Sequence, residues 1–563
     1  MSPSLPARWL GRAAVGLLLS CEATPPRTEA RPAPSEPLEP APDVTVVKLD
    51  VGTMPPAPDD PETARRLAAR LAEPEALGTA LQSTEAVGRF YAQRDHQPAW
   101  TRQRRPTANA IGTLRALARL PEHGLDPADY ELSALAFEGP APADPIAFEL
   151  RLTDAWLTVG AHLLRGRIDP VSIHPAWSVQ ARAADLVEAL ETSLAAGSPG
   201  PALLALAPSH PEYAALQTAR RELVEQQQAG PWPRVRGPLP LAEGSEGPAV
   251  AALRRRLART DDLARASGDR FDADTAEAVR HFQRRHGLEL TGQVDAATRR
   301  ALDVTIEQRL AQLDANLERW RWLPEDLGAR HVRVNIAAFE VVLVDEGAHV
   351  LTMKAVVGKR YRKTPVFSTM IEAVTINPRW QVPPKLALRD VLPEIQRDPT
   401  TIARKGYRVY DARTGSAVDP ADVPWSTLGG RRFPYLLRQD PGPDNALGRF
   451  KLVMPNDYDV YLHDTPKRHL FTEDRRTFSS GCVRMEHPRD LSVALLAGHR
   501  KWTPARFDAA VAEGRELTIR LPKPVPVHIL YWTAFVDETG HLQLREDVYE
   551  RDAALTKALA EPR

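Results

Sequence analysis

Tyr461-Leu462-His463-Asp464-Thr465, followed by Phe478-Ser479-Ser480-Gly481-Cys482-Val483-Arg484-Met485, is the stretch on which both fold and chemistry turn. A histidine closes a short strand-like run, and a cysteine follows nineteen residues later after a polar loop. A turn can therefore bring the two back to one end of a sheet. A thiol becomes a good nucleophile only as thiolate, and a nearby imidazole takes its proton at neutral pH. Gly481 permits a positive φ or a close backbone approach, which leaves the amides of Gly481 and Cys482 as candidate donors to a tetrahedral oxyanion. Spacing alone keeps alternatives open. A lone cysteine in a β-rich domain is often a small buried hydrophobe. His463, Asp464, Cys482 and His487 form a zinc alternative, but without compact paired spacing, so no metal is expected.

Around this pair, Arg484 offers a planar fork suited to a substrate carboxylate, with a structural salt bridge as its alternative. Tyr461 and Trp380, the latter in Asn377-Pro378-Arg379-Trp380-Gln381-Val382-Pro383-Pro384, are candidates to line a groove, and core packing explains either equally well. Asp464 reads as a turn residue or as a neighbour of the base.

Working outward, His331 to Val344 and Val350 to Val357 are rich in β-branched residues, with a turn signal at Glu346-Gly347. Strands resume at Gly448 to Val453 and Asp459 to His463. The helical and loop segment between them, about 384–443, is long enough to suggest a lid. These limits predict a β-rich domain over 330–540, with 541–563 as a C-terminal tail. Residues 63–230 carry apolar spacings of three and four, as in Ala110, Ile111, Leu114, Leu117 and Leu120, and predict an α-rich scaffold. Pro231 to Pro240 is a linker. Residues 241–303 form a compact unit, in which Val250, Leu253 and Leu257 mark one helix face and Thr275, Ala278, Val279 and Phe282 another.

The first 21 residues have Arg8 and Arg12, then the apolar run Ala13 to Leu19, then Leu18-Leu19-Ser20-Cys21, the order of a secretory signal. That run is too short to span a bilayer. Residues 22–62 read as a proline-rich tether. The 563-residue length suggests three or four folded units. Lys plus Arg and Asp plus Glu both total 73, so no global field draws in nucleic acid.

Phe271-Asp272-Ala273-Asp274-Thr275-Ala276-Glu277-Ala278-Val279, with Phe282-Gln283, Gly287-Leu288, Thr291-Gly292 and Asp295-Ala296-Ala297-Thr298, resembles the small three-helix peptidoglycan-binding domain. Leu-Leu-Ser-Cys resembles a bacterial lipobox, which implies acylation of Cys21. His463-Asp464-Thr465 with Ser479-Ser480-Gly481-Cys482-Val483-Arg484 resembles the YkuD-type L,D-transpeptidase signature. With the lid and the two preceding domains, the chain is similar from about Leu77 onward to the large YcbB-like subfamily. Many members of the wider family have histidine before Gly-Cys; Ser480 stands there, as in the large subfamily.

The resemblance implies a multidomain α+β protein: helical scaffold, three-helix wall-binding domain, and a β-sandwich-like catalytic domain with an inserted lid. It implies Cys482 as nucleophile, His463 as base oriented by a backbone carbonyl near Asp464, and Ser480, Tyr461, Trp380 and Arg484 about the substrate. It implies release of D-alanine from tetrapeptide stems, 3→3 cross-links through a thioester, and no cofactor. The rivals are an L,D-carboxypeptidase using the same site and a non-catalytic wall-binding lipoprotein. Expected partners are peptidoglycan stems and glycan and a membrane reached through the lipid anchor, with a monomeric protein in the periplasm. Glu22 after Cys21 favours the outer membrane.

Overall fold

The computed structural model describes residues 60–73, 81–175, 177–179, 181–429 and 433–561. The signal, the Cys21 lipobox and nearly all of the tether lie outside the described residues.

The helical region is organised by the helix Pro145–Arg165. Asp144 caps it by accepting from the amides of Ile146 and Ala147, Pro145 occupies its first turn, and Gly166 ends it. Phe148, Leu152, Ala155, Trp156, Val159 and Leu163 are all buried, so the helix packs on nearly every side. Its Glu149 is fully buried and accepts from the amides of Ala99, Trp100 and Thr101 at 2.9, 2.9 and 2.6 Å, and from the Tyr91 hydroxyl at 2.9 Å. Tyr91 and the run Ala99-Trp100-Thr101 are thus folded around one carboxylate, which satisfies otherwise orphaned amides.

Helices Pro248–Ala258, Ala273–Arg285 and Ala296–Asp303 form the small unit around Val250, Leu253, Leu257, Val279 and Phe282. Asp272 and Asp295 cap the second and third.

The next helix, Ile306–Arg321, was not assigned to any unit from sequence. It packs against Pro145–Arg165, Pro211–Gln228 and Arg551–Ala560, and so joins the helical region to the C-terminal part. The last of these helices corrects the expectation of a tail over 541–563. Its Leu555 is buried, and Leu542–Leu544 pairs with Ala534–Val536. Apolar residues at 555, 558 and 559 supply a packing stripe too short to stand out by periodicity.

Nine strands build the main sheet: β1 Arg330–Asn335, β2 Glu340–Asp345, β3 Ala348–Gly358, β4 Phe367–Ile376, β5 Phe450–Val453, β6 Leu462–His463, β7 Thr477–Ser479, β8 Val483–Met485 and β9 Leu517–Leu530. Their order is β7-β3-β8-β6-β5-β4-β9-β1-β2, and β2 also pairs with β3, so the sheet closes on itself. The β-rich domain is therefore one sheet folded back through that pairing. Glu346 and Gly347 both have positive φ, 49° and 80°, and form the tight β2–β3 turn that their sequence signals.

The lid holds a sheet of its own, where sequence suggested only helices and loops. Trp380–Gln381, Tyr435–Gln439, Tyr407–Asp411 and Ala417–Val418 lie side by side in that order. Val382, Val391, Ile395, Val409 and Leu437 form a core separate from that of the main sheet. Strands of two to five residues leave little alternation to read.

Candidate active site

Pairing across three strands assembles the site. Lys451 of β5 stands opposite His463 of β6, and His463 opposite Arg484 of β8. Paired residues share a face, and residues two apart along a strand do too. Val483 N–H donates to Tyr461 O at 3.1 Å, which sets Cys482 alongside Tyr461. Lys451, Tyr461, His463, Cys482 and Arg484 therefore project from one face, while Leu452, Leu462 and Val483 fill the core behind it.

Cys482 is the free cysteine among the described residues, half-buried, with Sγ 3.8 Å from Asp459 O. Burial pushes its thiol up, and the backbone of Tyr461, Lys451, Arg484 and the Tyr461 hydroxyl pull it part of the way back. The free thiol is accordingly protonated at neutral pH and needs a base. His463 is buried and held down at about 3, first by burial and then by Arg484; the backbone of Asp464 offsets part of this, Lys451 adds to it, and the backbone of Leu447 offsets more. It is neutral at pH 7, the form that accepts a proton. Its Nδ1 is buried without a hydrogen-bond partner among the described residues.

Burial raises Tyr461, whose hydroxyl contacts both the Cys482 thiol and the Trp380 indole. Its ring lies 5.5 Å from that of His463, centroid to centroid. Trp380 belongs to the lid sheet, so the lid touches the site through this pair. Arg484 Nε is buried and unpartnered, and Arg484 forms no ion pair among the described residues.

Gly481 has φ 125°, a backbone state that favours glycine. Its N–H, one of the two amides assigned to an oxyanion, donates to Ser479 Oγ at 3.1 Å, whereas the Cys482 N–H has no acceptor among the described residues. Ser480 is exposed, and its Oγ accepts from Arg362 at 3.0 Å, away from the cluster. The Asp464 carboxylate accepts from Arg449 N–H at 2.8 Å and fixes the turn into β5. Gly448 is required there, because a Cβ would run into that carboxylate. His487 pairs with Glu486 at 3.6 Å.

Three supports escaped sequence reasoning. Thr364 Oγ1 donates to Gly481 O at 2.8 Å and accepts from Gly358 N–H at 2.9 Å. Tyr549, inside the supposed tail, accepts from Thr364 N–H at 3.2 Å and donates to Gly358 O at 2.6 Å. Lys451 is the third; a polar residue between Phe450 and Leu452 was the available signal.

Residues 329–502 match the family model of the L,D-transpeptidase catalytic domain. The chain carries an L,D-transpeptidase catalytic domain. Residues 85–219 match a scaffold domain, and residues 246–302 a domain described as "Putative peptidoglycan binding domain". A "Putative L,D-transpeptidase" of Haemophilus influenzae is 34% identical over 253 residues, 45% of this chain and 50% of the relative. The chain thus matches about half the length of that curated relative. Two solved L,D-transpeptidases are more distant. That of Xylanimonas cellulosilytica is 16% identical, covering 52% of this chain and 99% of its own, with a TM-score of 0.17. That of Stackebrandtia nassauensis is 12% identical, covering 53% and 96%, with a TM-score of 0.21.

Proposed function

We propose that the protein is an L,D-transpeptidase that forms 3→3 cross-links in peptidoglycan through a thioester on Cys482. The observation that carries this is the single face bearing the Cys482 thiol, the neutral His463 imidazole and the unpaired Arg484. His463 takes the thiol proton as Sγ attacks the carbonyl between the third residue of a tetrapeptide stem and its terminal D-alanine. The C–N bond breaks, His463 returns the proton to the leaving amine, and D-alanine departs. The amine of a neighbouring stem then attacks the thioester, gives its proton to His463, and leaves an amide and a free thiol. The Cys482 amide, open in the free site, is the better placed of the two oxyanion donors. Arg484 receives a stem carboxylate, and Tyr461 and Trp380 border the groove under the lid. Residues 246–302 hold the glycan and stems of the wall near the site. Acylated Cys21 and the following tether would place the enzyme at a membrane facing the periplasm.

The test is mass spectrometry of the full chain incubated with a disaccharide tetrapeptide. The expected product is a dimer lacking one D-alanine, absent with Cys482→Ala. Tripeptide without dimer would replace transpeptidation by L,D-carboxypeptidation. Folded protein that yields neither product nor a carbapenem adduct on Cys482 would refute catalysis.

A further inference from the structure

The cluster holds a cation that the chemistry above does not use. Lys451 projects from a strand whose neighbours Phe450 and Leu452 are buried, onto the face shared with His463. Its Nζ lies 4.3 Å from the centroid of the Tyr461 ring, and the hydroxyl of that same ring contacts the thiol. It forms no ion pair among the described residues. The charges that act on it are Cys482, then Glu516 and Asp459 from further away, while burial works against its charge. A half-buried ammonium without a carboxylate is costly unless something nearby gains from it. The ring face holds it in place through cation–π attraction.

Resting on Cys482 as the nucleophile, we propose that Lys451 is a positioning residue whose ammonium, clamped over Tyr461, stabilises the Cys482 thiolate and keeps the facing His463 imidazole unprotonated. Both effects have one sign. A positive charge on this face favours the anion at sulfur and disfavours the cation at nitrogen. Arg484 acts in the same directions but is committed to substrate once a carboxylate binds. Lys451, on the other side of His463, keeps its charge free for the thiol. The remaining charged neighbours do not reproduce this, because Asp459 and Glu516 are acidic and oppose thiolate formation.

The test measures the rate of iodoacetamide labelling against pH, mapped to the Cys482 peptide because Cys21 is also a cysteine. Full-length wild type is compared with Lys451→Met, Lys451→Gln and Lys451→Arg, each checked for folding by circular dichroism. Loss of the charge should move the midpoint up by about one pH unit, which slows labelling below it about tenfold, while Lys451→Arg stays with wild type. Coincident curves for wild type and the two neutral variants would overturn the proposal and leave the nucleophile assignment intact. An equal shift in Lys451→Arg would also overturn it, by assigning the effect to packing. Neutral variants that fail to fold where Lys451→Arg folds would make the ammonium structural and overturn it too. A wild-type Cys482 that cannot be labelled would remove the nucleophile, and this inference with it.

Discussion

Two places in the molecule treat cationic side chains withdrawn from solvent in opposite ways. In the helix that joins scaffold to catalytic sheet, Arg321 and Glu318 are both fully buried and paired at 2.6 Å. Arg321 donates further to His123 O at 2.8 Å, and Glu318 accepts from Ile168 N–H at 2.7 Å. Burial opposes the charge of Arg321, and Glu318, with Tyr213 and Tyr130, more than restores it. On the face that carries Cys482, Arg484 and Lys451 are half-buried, neither forms an ion pair among the described residues, and burial lowers both, with only the more distant Glu516 and Asp459 acting to support Lys451. The closed pair fixes this helix to the helical region through His123 and Ile168. The open cations leave a positive face next to the Cys482 thiol, which suits the anionic group of the proposed substrate.

The largest expected effect breaks the closed side. Glu318→Ala strands Arg321 in the core and removes the acceptor of Ile168, and should cost about 3–5 kcal/mol. Urea unfolding of the full chain, followed by the fluorescence of buried Trp320 and Trp322, should show the midpoint fall; an unmoved midpoint would mean that the seam does not depend on this pair. Next comes the open side. Arg484→Met orphans no partner, so stability should hold while kcat/KM falls by about 10- to 100-fold through loss of roughly 1.5–3 kcal/mol of charged hydrogen bonding. A stability loss like that of Glu318→Ala would make Arg484 structural and erase the contrast.

Acid sharpens the comparison by a smaller step. His463 titrates at about 3 when folded against 6.5 in the unfolded chain, so the unfolded state binds more protons between these values. Its contribution to stability is complete above the unfolded value and is lost as pH falls from there toward 3. The slope is at most about 1.4 kcal/mol per pH unit for one proton. His123 and His174, also near 3, add slopes of the same sign. Thermal melts from pH 7 to 4 should fall more steeply for wild type than for His463→Gln, and parallel curves would contradict a buried neutral imidazole.

Much of this was readable from sequence because it is local. The Gly481-Cys482 loop, the His463 strand end, the Glu346-Gly347 turn and the apolar faces around Val250 and Phe282 are each signalled within a few residues. What escaped depends on distant pairing. Lys451 is one polar residue in a four-residue strand until β5 is set against β6. Thr364 donates to Gly481 from 117 positions away, and Tyr549, which braces Thr364, lies 185 positions from it along the chain. The helix Ile306–Arg321 was assigned to no unit, because burial of its Glu318, Arg319 and Arg321 depends on contacts made by the helical region and by Arg551–Ala560. The Gly481 amide was expected to be free, and only the returning Ser479 hydroxyl shows it to be occupied.

The smallest effect concerns the lid, where a cation is neither sealed nor left open. Arg362 donates to Asp390 of the lid at 2.7 Å and to Ser480 Oγ, beside the nucleophile loop, at 3.0 Å. Its side chain is 19% exposed and that of Asp390 is 41%, so water screens the pair and its worth is about 0.2–1 kcal/mol. Asp390→Asn should leave global unfolding unchanged. It removes the ion pair between lid and Arg362 while the Trp380–Tyr461 contact persists. Amide exchange in Leu392–Arg397 should quicken by about 1.4- to 5-fold, the range that this free energy converts to if opening limits exchange. The Arg362 hydrogen bond holds Asp390 below its ordinary range, so acidification of wild type through that lowered value should loosen the same segment. Asp390→Asn should show no such acid step. If its exchange matches wild type at neutral pH, Arg362 serves only to brace Ser480, and the lid is held by Trp380 and its backbone strands.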